Sequence, residues 1–338
     1  MLQLNPESDK REDPGEEFVI GKYTQATHYK NGLFSEVYKA PVTPQPDEVD
    51  TDPAQSPSFI ALKVTVPDMM LPPHDSKKEV RILQQTRSPH VIELLESFNQ
   101  SGGRLVLVFP FMPYDFAQLL RDGKASAPNV KACLKDMFAA IDYLHERGII
   151  HRDIKPSNLL LKTPSGPTYL GDFGIAWSAE DPAAEPKQKK ITDVGTTSYR
   201  PPELLFGNTA YDCSLDLWAA GCVVAEATSS PHETLFDSGD LGSELALIQS
   251  IFKGLGTPTV TVWPVCMASI NNHLTKPTDY CCRRLRAFQT GVKCNFMSIV
   301  HNPGQNYFQQ RQKMPEIWQA NWSGTKAVIA LAQQRQGG

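Results

Sequence analysis

The sequence lacks the marks of a membrane-embedded, secreted or nucleic-acid-binding protein. No stretch approaches the roughly 18 consecutive apolar residues of a transmembrane helix, and the N-terminus, MLQLNPESDKREDPGEE, has neither the basic start nor the apolar run of a signal peptide. The seven cysteines show no paired spacing, which is typical of a reducing compartment. A net charge of −4 gives no electrostatic reason to expect nucleic acid as a partner. We therefore expect a protein of the nucleus or the cytoplasm, bound to neither membrane nor nucleic acid.

The distribution of apolar and polar residues predicts two lobes. Residues 1–16 are acidic and contain proline, which predicts a disordered tail. A similar stretch, residues 41–58, separates the strand-like runs FSEVYKA and FIALKVTV and predicts a long hairpin loop. Beyond the apolar run RLVLVFPFM, which predicts a buried strand, apolar residues recur at helical spacing over residues 129–147 and 216–228. A strand-rich part followed by a helix-rich part predicts a hinge near residues 110–113.

Three short motifs in the second half carry the chemistry. HRDIKPSN occupies residues 151–158, DFG residues 172–174 and YRPPE residues 199–203. In this order and at this spacing, they resemble the signature of the eukaryotic protein kinases. The resemblance covers about residues 18–264. YRPPELLFG and the LGTP-containing stretch near residue 255 are similar to the group of cyclin-dependent and mitogen-activated kinases.

The resemblance implies both a fold and a reaction. The fold is α+β and bilobal, with a small β-rich N-lobe over residues 17–112 and a larger helical C-lobe over residues 113–264. The reaction is transfer of phosphate from ATP, with Mg²⁺, to a serine or threonine hydroxyl of a protein. By this resemblance, the substrate would be a cyclin-dependent kinase or a similar regulator of the cell cycle or of transcription.

The resemblance also implies roles for the residues of these motifs. Asp153 would orient the acceptor hydroxyl and take its proton, while Lys155 would contact the transferring phosphate. The lysine two residues after the aspartate is similar to the serine/threonine branch of the family. Thr196 is expected to contact both residues. Asn158 and Asp172 would supply hard oxygen ligands for Mg²⁺.

Upstream residues match the family's nucleotide contacts. Lys63, in IALKV, is expected to hold the α- and β-phosphates. Glu79, in KKEVRIL at the start of the short helix predicted over residues 79–85, is expected to pair with it. Phe109 would be the gatekeeper. Because the hinge proline has no N–H, the donor to adenine would be Met112. The remaining expected nucleotide contacts are Gly32, Val37, Ala61, Asp115 and Leu160.

The glycine-rich loop of the family is reduced here to one glycine. KNGLFSEVYKA places Lys30, Gly32 and Ser35 at the three glycine positions, where glycines normally let backbone N–H groups approach phosphate. Such loss resembles the fungal single-subunit activators of cyclin-dependent kinases. One interpretation is an atypical but functional loop that binds phosphate through Lys30 and the side chain of Ser35. The other is a catalytically impaired kinase-fold protein that acts by binding.

Two regulatory features stay open at this stage. Thr192 is the nearest candidate phosphosite, and a phosphate there would pair with Arg152 and order the activation segment. Since Ile191 stands at the group's usual phosphosite, activation without loop phosphorylation is the alternative.

The stretch MMLPPHDSKKEVRIL lacks a cyclin-contacting signature, so we do not expect cyclin dependence. Asp216, in DLWAAG, resembles the aspartate that braces the catalytic loop.

The family signature stops at Pro264. The family's later segments are missing from this amino-acid sequence. When each residue is written as its degenerate codons and the codons are read in a shifted frame, three of these segments become possible, in the family's order. We hypothesise a retained intron over roughly residues 265–279, which would make residues 265–338 non-native and the C-lobe incomplete. A family-specific tail and a degenerate lobe are the alternatives. If an intron is retained, Glu203 lacks the arginine that pairs with it in the family.

Overall fold

The computed structural model describes residues 16–42 and 59–256. The chain divides into two compact units. The first comprises Met1–Met70 and Glu93–Phe111, and the second comprises Leu71–Ile92 and Met112–Gly338. Strands dominate the described part of the first unit, and helices dominate that of the second.

Three predicted segments fall wholly or largely outside the described residues. They are the acidic tail, the loop over residues 41–58 and the segment over residues 265–338. The non-native origin of the last segment therefore stays a prediction, as do the boundaries of the two lobes. Within residues 16–42 and 59–256, no helix combines the length and hydropathy needed to cross a membrane.

The first unit is a six-stranded antiparallel sheet in the order β1-β2-β3-β4-β6-β5. Its strands are β1 (Glu17–Ile20), β2 (Tyr23–Asn31), β3 (Ser35–Pro41), β4 (Phe59–Thr65), β5 (Glu96–Gln100) and β6 (Arg104–Pro110). The two predicted strand runs pair in one register, from Ser35 opposite Thr65 to Pro41 opposite Phe59. The predicted hairpin is thus confirmed in its strands.

Alternation along these strands separates two faces of the sheet. Ile60, Leu62 and Val64 of β4 are buried, together with Val106 and Val108 of β6. Because side chains alternate across a strand, the intervening positions of β4 and β6 lie on the opposite face. The apolar cluster therefore fixes which residues β4 presents on its other side.

The second unit is mainly helical. Its helices are α1 (Ser76–Gln85), α2 (Phe116–Arg121), α3 (Ala127–His145), α4 (Pro202–Leu205), α5 (Ser214–Thr228) and α6 (Glu244–Leu255). Short strands form two small sheets: β7 (Tyr114–Asp115), β8 (Ile149–Ile150), β9 (Leu159–Leu161), β10 (Thr168–Leu170) and β11 (Trp177–Ser178). Together with the sheet of the first unit, they confirm the predicted α+β fold class.

The predicted helices are present, with shifted ends. α3 begins two residues before the predicted start because Ser126 caps it and a proline occupies its first turn. α1 begins at Ser76, where the side chain of Asp75 accepts a hydrogen bond from the backbone N–H of Lys78 at 2.9 Å. These caps are local signals that apolar periodicity alone does not register.

An apolar cluster packs around the strand that precedes the HRD motif. Ile150 of β8 packs with Ile175, Trp177 and Leu215, which come from the segment after DFG and from α5. Short strand β8 therefore ends at a fixed point directly before residue 151. The catalytic loop starts from this buried cluster.

Candidate active site

Four predicted catalytic residues meet at the carboxylate of Asp153. Its Oδ1 accepts hydrogen bonds from the backbone N–H of Thr196 at 3.0 Å and from the Thr196 hydroxyl at 2.9 Å. Its Oδ2 lies 2.7 Å from Lys155 Nζ and accepts from Asn158 Nδ2 at 3.1 Å. Lys155 also donates to the Thr196 hydroxyl at 2.9 Å. One carboxylate, one cation and one hydroxyl are thus held within direct contact of one another.

Asp216 braces the loop that carries Asp153, as its motif predicts. Its carboxylate is fully buried and accepts from the backbone N–H groups of His151 and Arg152, each at 2.8 Å. Nε2 of His145 lies 2.9 Å from the same carboxylate. Burial raises the pKa of Asp216, but hydrogen bonding and charge from His145 outweigh it, so the pKa lies below its ordinary value. His145 has no counterpart in the sequence prediction.

A close approach of backbones fixes the activation segment to the same loop. Gly195 has φ +74°, and a Cβ added there would lie 2.6 Å from the carbonyl oxygen of Arg152. Only glycine fits this position without displacement. Gly195 directly precedes Thr196, so the contact explains how the threonine reaches Asp153.

The DFG segment is tied to both the catalytic loop and α1. Gly171 N–H donates to the carbonyl of Asn158 at 2.9 Å. Phe173 is buried, with its ring edge-on to that of His151 at 4.7 Å. The carbonyl of Gly174 accepts from the backbone N–H of Asp75, the cap of α1, at 3.0 Å. The segment thus connects the predicted metal ligand Asp172 to the helix that carries Glu79.

The two predicted metal ligands offer a donor set that suits Mg²⁺. Asn158 uses its amide nitrogen toward the carbonyl and carboxylate of Asp153, at 2.8 and 3.1 Å, which leaves the amide oxygen for a cation. Asp172 adds a carboxylate from an exposed residue with φ +61°. Mg²⁺ commonly takes one or two protein oxygens and completes its shell with substrate phosphates and water. Nowhere in residues 16–42 and 59–256 do three or more His, Cys, Asp or Glu residues cluster as a metal site, so the remaining ligands would come from substrate and water.

Four predicted nucleotide contacts share one face of the sheet in the first unit. Val37 lies opposite Lys63, and Ala61 lies opposite Phe109. Lys63 and Ala61 are two residues apart on β4, so all four side chains lie on the face away from the buried Leu62. The backbone register thus places together residues that the sequence separates by up to 72 positions.

The reduced glycine loop is a tight turn between β2 and β3. Gly32 N–H donates to the carbonyl of Ser35 at 2.7 Å, and a Cβ on Gly32 would lie 2.6 Å from Ser35 Oγ. The single remaining glycine therefore has a local steric reason to be there. The expected phosphate contacts of Lys30 and Ser35 stay predictions.

In the second unit, Asp115, the predicted ribose contact, also stabilises local structure. Asp115 caps α2, with its Oδ1 accepting from Gln118 N–H at 2.8 Å, and it pairs with Leu160 in the β7–β9 ladder. Glu79 is buried on α1. The chain enters this unit for the second time at Met112, the residue expected to donate to adenine. The ion pair of Lys63 with Glu79 and the nucleotide roles of these residues stay predictions.

Three contacts of the activation segment were not predicted. Arg152 binds Glu185, Arg81 binds Asp181, and the Tyr199 hydroxyl donates to Glu226 at 2.6 Å. Each partner is an ordinary acidic residue in its local sequence, and only the excess of lysines around Glu185 hints at a charged environment.

Comparisons with known proteins agree with this arrangement. The family described as "Protein kinase domain" matches residues 54–285, which extends past Pro264. Serine/threonine-protein kinase csk1 of Schizosaccharomyces pombe is 34% identical over 245 residues, or 71% of this chain and 75% of that protein. Cyclin-dependent kinase 7 of Xenopus laevis is 36% identical over 189 residues, or 55% of this chain and 51% of that protein. The chain thus spans about half the length of this second relative.

A solved structure shows the same fold. The CAK complex of Chaetomium thermophilum bound to ATP-gamma-S has a chain with a TM-score of 0.60 and 26% identity, over 91% of this chain and 83% of that chain. The expectation against a cyclin partner gains no support, since one relative is named a cyclin-dependent kinase and the solved neighbour is a complex. The predicted fold and group are confirmed. The chain therefore belongs to the protein kinase family, as a serine/threonine kinase of the cyclin-dependent-kinase-like group.

Proposed function

We propose that the protein transfers the γ-phosphoryl group of ATP to a serine or threonine hydroxyl of a protein substrate. The observation that carries this proposal is the contact of Asp153 with Lys155, Asn158 and Thr196, all between 2.7 and 3.1 Å. A carboxylate that orients a hydroxyl and a cation on the transferring phosphate are what phosphoryl transfer requires.

Each catalytic residue has a separate role in the transfer of the γ-phosphoryl group. The acceptor hydroxyl oxygen forms a bond to the γ-phosphorus, the bond to the oxygen bridging the β- and γ-phosphorus breaks, and ADP leaves. Asp153 positions the hydroxyl and takes its proton. Lys155 offsets negative charge on the transferring group, and Thr196 holds both side chains in place until substrate arrives.

Mg²⁺ fits the proposed reaction. The amide oxygen of Asn158 and the carboxylate of Asp172 would hold it, and a bound Mg²⁺ would neutralise charge on the phosphates. The contact between Gly171 N–H and the Asn158 carbonyl, at 2.9 Å, connects the segments that carry the two ligands. This connection keeps the two ligands in one local structure.

The proposed substrate is a cyclin-dependent kinase, with the acceptor hydroxyl in its activation loop, or a related regulator of the nucleus or cytoplasm. Support comes from the YRPPE motif, from the reduced glycine loop and from the relatives named above. A cyclin or another regulatory subunit is compatible with these names. We base the choice of serine and threonine over tyrosine on Lys155 and on the name of the csk1 relative.

A transfer assay tests the proposal directly. Full-length protein with labelled ATP, Mg²⁺ and an unphosphorylated cyclin-dependent kinase should label the acceptor, and Asp153→Asn should reduce the rate roughly 10²- to 10⁴-fold. Asp240→Asn is the matched control, because Asp240 is exposed in the same unit. A substrate whose activation-segment threonine is replaced by alanine should not be labelled.

The alternative is a kinase-fold protein that acts only by binding. The observation that favours it is the glycine loop, in which Gly32 alone remains at the three glycine positions. Equal background labelling by the wild-type protein and Asp153→Asn, at equal thermal stability, would support the binding protein over the enzyme.

A further inference from the structure

The activation segment carries its own anion for the arginine of the catalytic loop. Nη1 of Arg152 donates to Oε1 of Glu185 at 3.0 Å, and Nη2 donates to Oε2 at 2.9 Å. The Arg152 side chain is 0% exposed and that of Glu185 is 15% exposed. Such a two-pronged contact is the strongest geometry for an arginine with an oxyanion.

Two further buried lysines interact electrostatically with this pair. Lys78 of α1 and Lys190 of the activation segment are each 3% exposed. Burial lowers the pKa of both lysines, and the charge of Glu185 acts in the opposite direction on each. Lys190 is held by the carbonyls of Lys187 and Tyr211, each at 2.6 Å. The charge of Glu185 thus opposes the repulsion that Arg152 exerts on Lys78 and on Lys190.

The carboxylate stays ionised at neutral pH. Burial raises the pKa of Glu185, but the hydrogen bonds and charge of Arg152 outweigh it, so the pKa lies below its ordinary value. The backbone of Glu185 is also fixed, since its carbonyl accepts from Trp177 Nε1 at 2.9 Å. The anion is therefore held in one position relative to the segment after DFG.

A second acidic residue of the segment extends the same attachment. Asp181 accepts from Nε and Nη2 of Arg81, at 2.7 and 3.0 Å. Arg81 lies one turn after Lys78 on α1. The helix that carries Glu79 and the loop that carries Asp153 are thus both bound to acidic residues of the activation segment.

In this arrangement, Arg152 has no terminal nitrogen left to bind a phosphate on Thr192. Both terminal nitrogens of Arg152 already bind Glu185, and Ile191 stands at the group's usual phosphosite. Carboxylate and phosphate are both oxyanions that arginine binds through the same fork. We propose that Glu185 is a positioning residue that orders the activation segment in place of a loop phosphate. This inference rests on the proposed kinase function for its consequence, activity without loop phosphorylation.

The test compares three variants of the full-length protein. Glu185→Gln removes the charge, Glu185→Asp keeps it on a shorter side chain, and Glu180→Gln is the matched control on an exposed residue of the same segment. Amide hydrogen exchange over residues 186–200 should be at least about tenfold faster in Glu185→Gln, intermediate in Glu185→Asp and unchanged in Glu180→Gln. Exchange in α3 and α5 should not change. If Glu185→Gln loses protection there as well, Glu185→Asp becomes the informative variant.

Transfer rates separate this inference from the proposed function. Phosphatase-treated wild-type protein, shown by mass spectrometry to lack phosphate, should keep its rate, whereas Glu185→Gln should lose at least about tenfold in kcat with little change in KM for ATP. Loss of activity on phosphatase treatment, or exchange in Glu185→Gln equal to that of Glu180→Gln, would overturn the role of Glu185. If wild-type protein transfers no phosphate while the exchange pattern is as expected, the proposed function fails and the positioning role stands.

Discussion

Replacement of Glu203 by glutamine is expected to stabilise the protein at neutral and alkaline pH. Glu203 lies in α4, and among the described residues it forms no ion pair with a lysine, arginine or histidine. Burial, helped by the charge of Asp212, raises the pKa of Glu203 from 4.5 to about 7. With no cation paired to it within residues 16–42 and 59–256, Glu203 is mainly protonated in the folded protein below about pH 7.

The direction with pH follows from proton binding. Between pH 4.5 and 7, the folded protein holds a proton on Glu203 that the unfolded chain releases, so stability falls as the pH rises through this window. A pKa difference of about 2.5 corresponds to about 3 kcal/mol at 1.36 kcal/mol per pKa unit. Glu203→Gln keeps the shape of the protonated acid and should avoid this loss.

Denaturant unfolding at several pH values measures the effect. The free energies of unfolding of wild type and Glu203→Gln should agree near pH 4 and differ by up to about 3 kcal/mol at pH 8, or about 6–12 °C in Tm. Glu233→Gln, on an exposed residue of the same unit, should show no such difference. If Glu203→Gln is no more stable than wild type at pH 8, a cation outside the described residues pairs with Glu203. That result would refute the reasoning and count against a missing arginine partner.

Two further substitutions test the catalytic loop. Asp216→Asn should cost about 2–4 kcal/mol of unfolding free energy and reduce the transfer rate, because two backbone N–H groups and His145 lose a buried carboxylate; an unchanged free energy in denaturant unfolding would contradict the bracing role. Gly195→Ala should destabilise by about 1–3 kcal/mol more than Gly207→Ala, since both have positive φ but only a Cβ on Gly195 meets backbone within 4 Å. Equal Tm values for the two alanine variants would contradict that steric argument.

Short-range sequence signals predicted most of the catalytic loop. Asp153, Lys155 and Asn158 lie within six residues, so their spacing already restricts how their side chains meet. The motif of Asp216 likewise predicted a brace, and the structure adds His145 as its third donor. Strand and helix positions followed from apolar periodicity, with helix starts two or three residues early in the structure. For α1 and α3, the start is set by a capping side chain, Asp75 and Ser126.

The sequence by itself determined the protein kinase family, the chemistry of the catalytic loop and the alternation that sorts the faces of the sheet. Only the tertiary structure decided which charges meet. Arg152 and Glu185 are 33 residues apart, and Arg81 and Asp181 are 100 residues apart. Neither pairing has a local period or motif, because the energy of such a contact depends on burial and geometry that the whole fold creates. The anion that orders the activation segment is therefore visible only once the chain is folded.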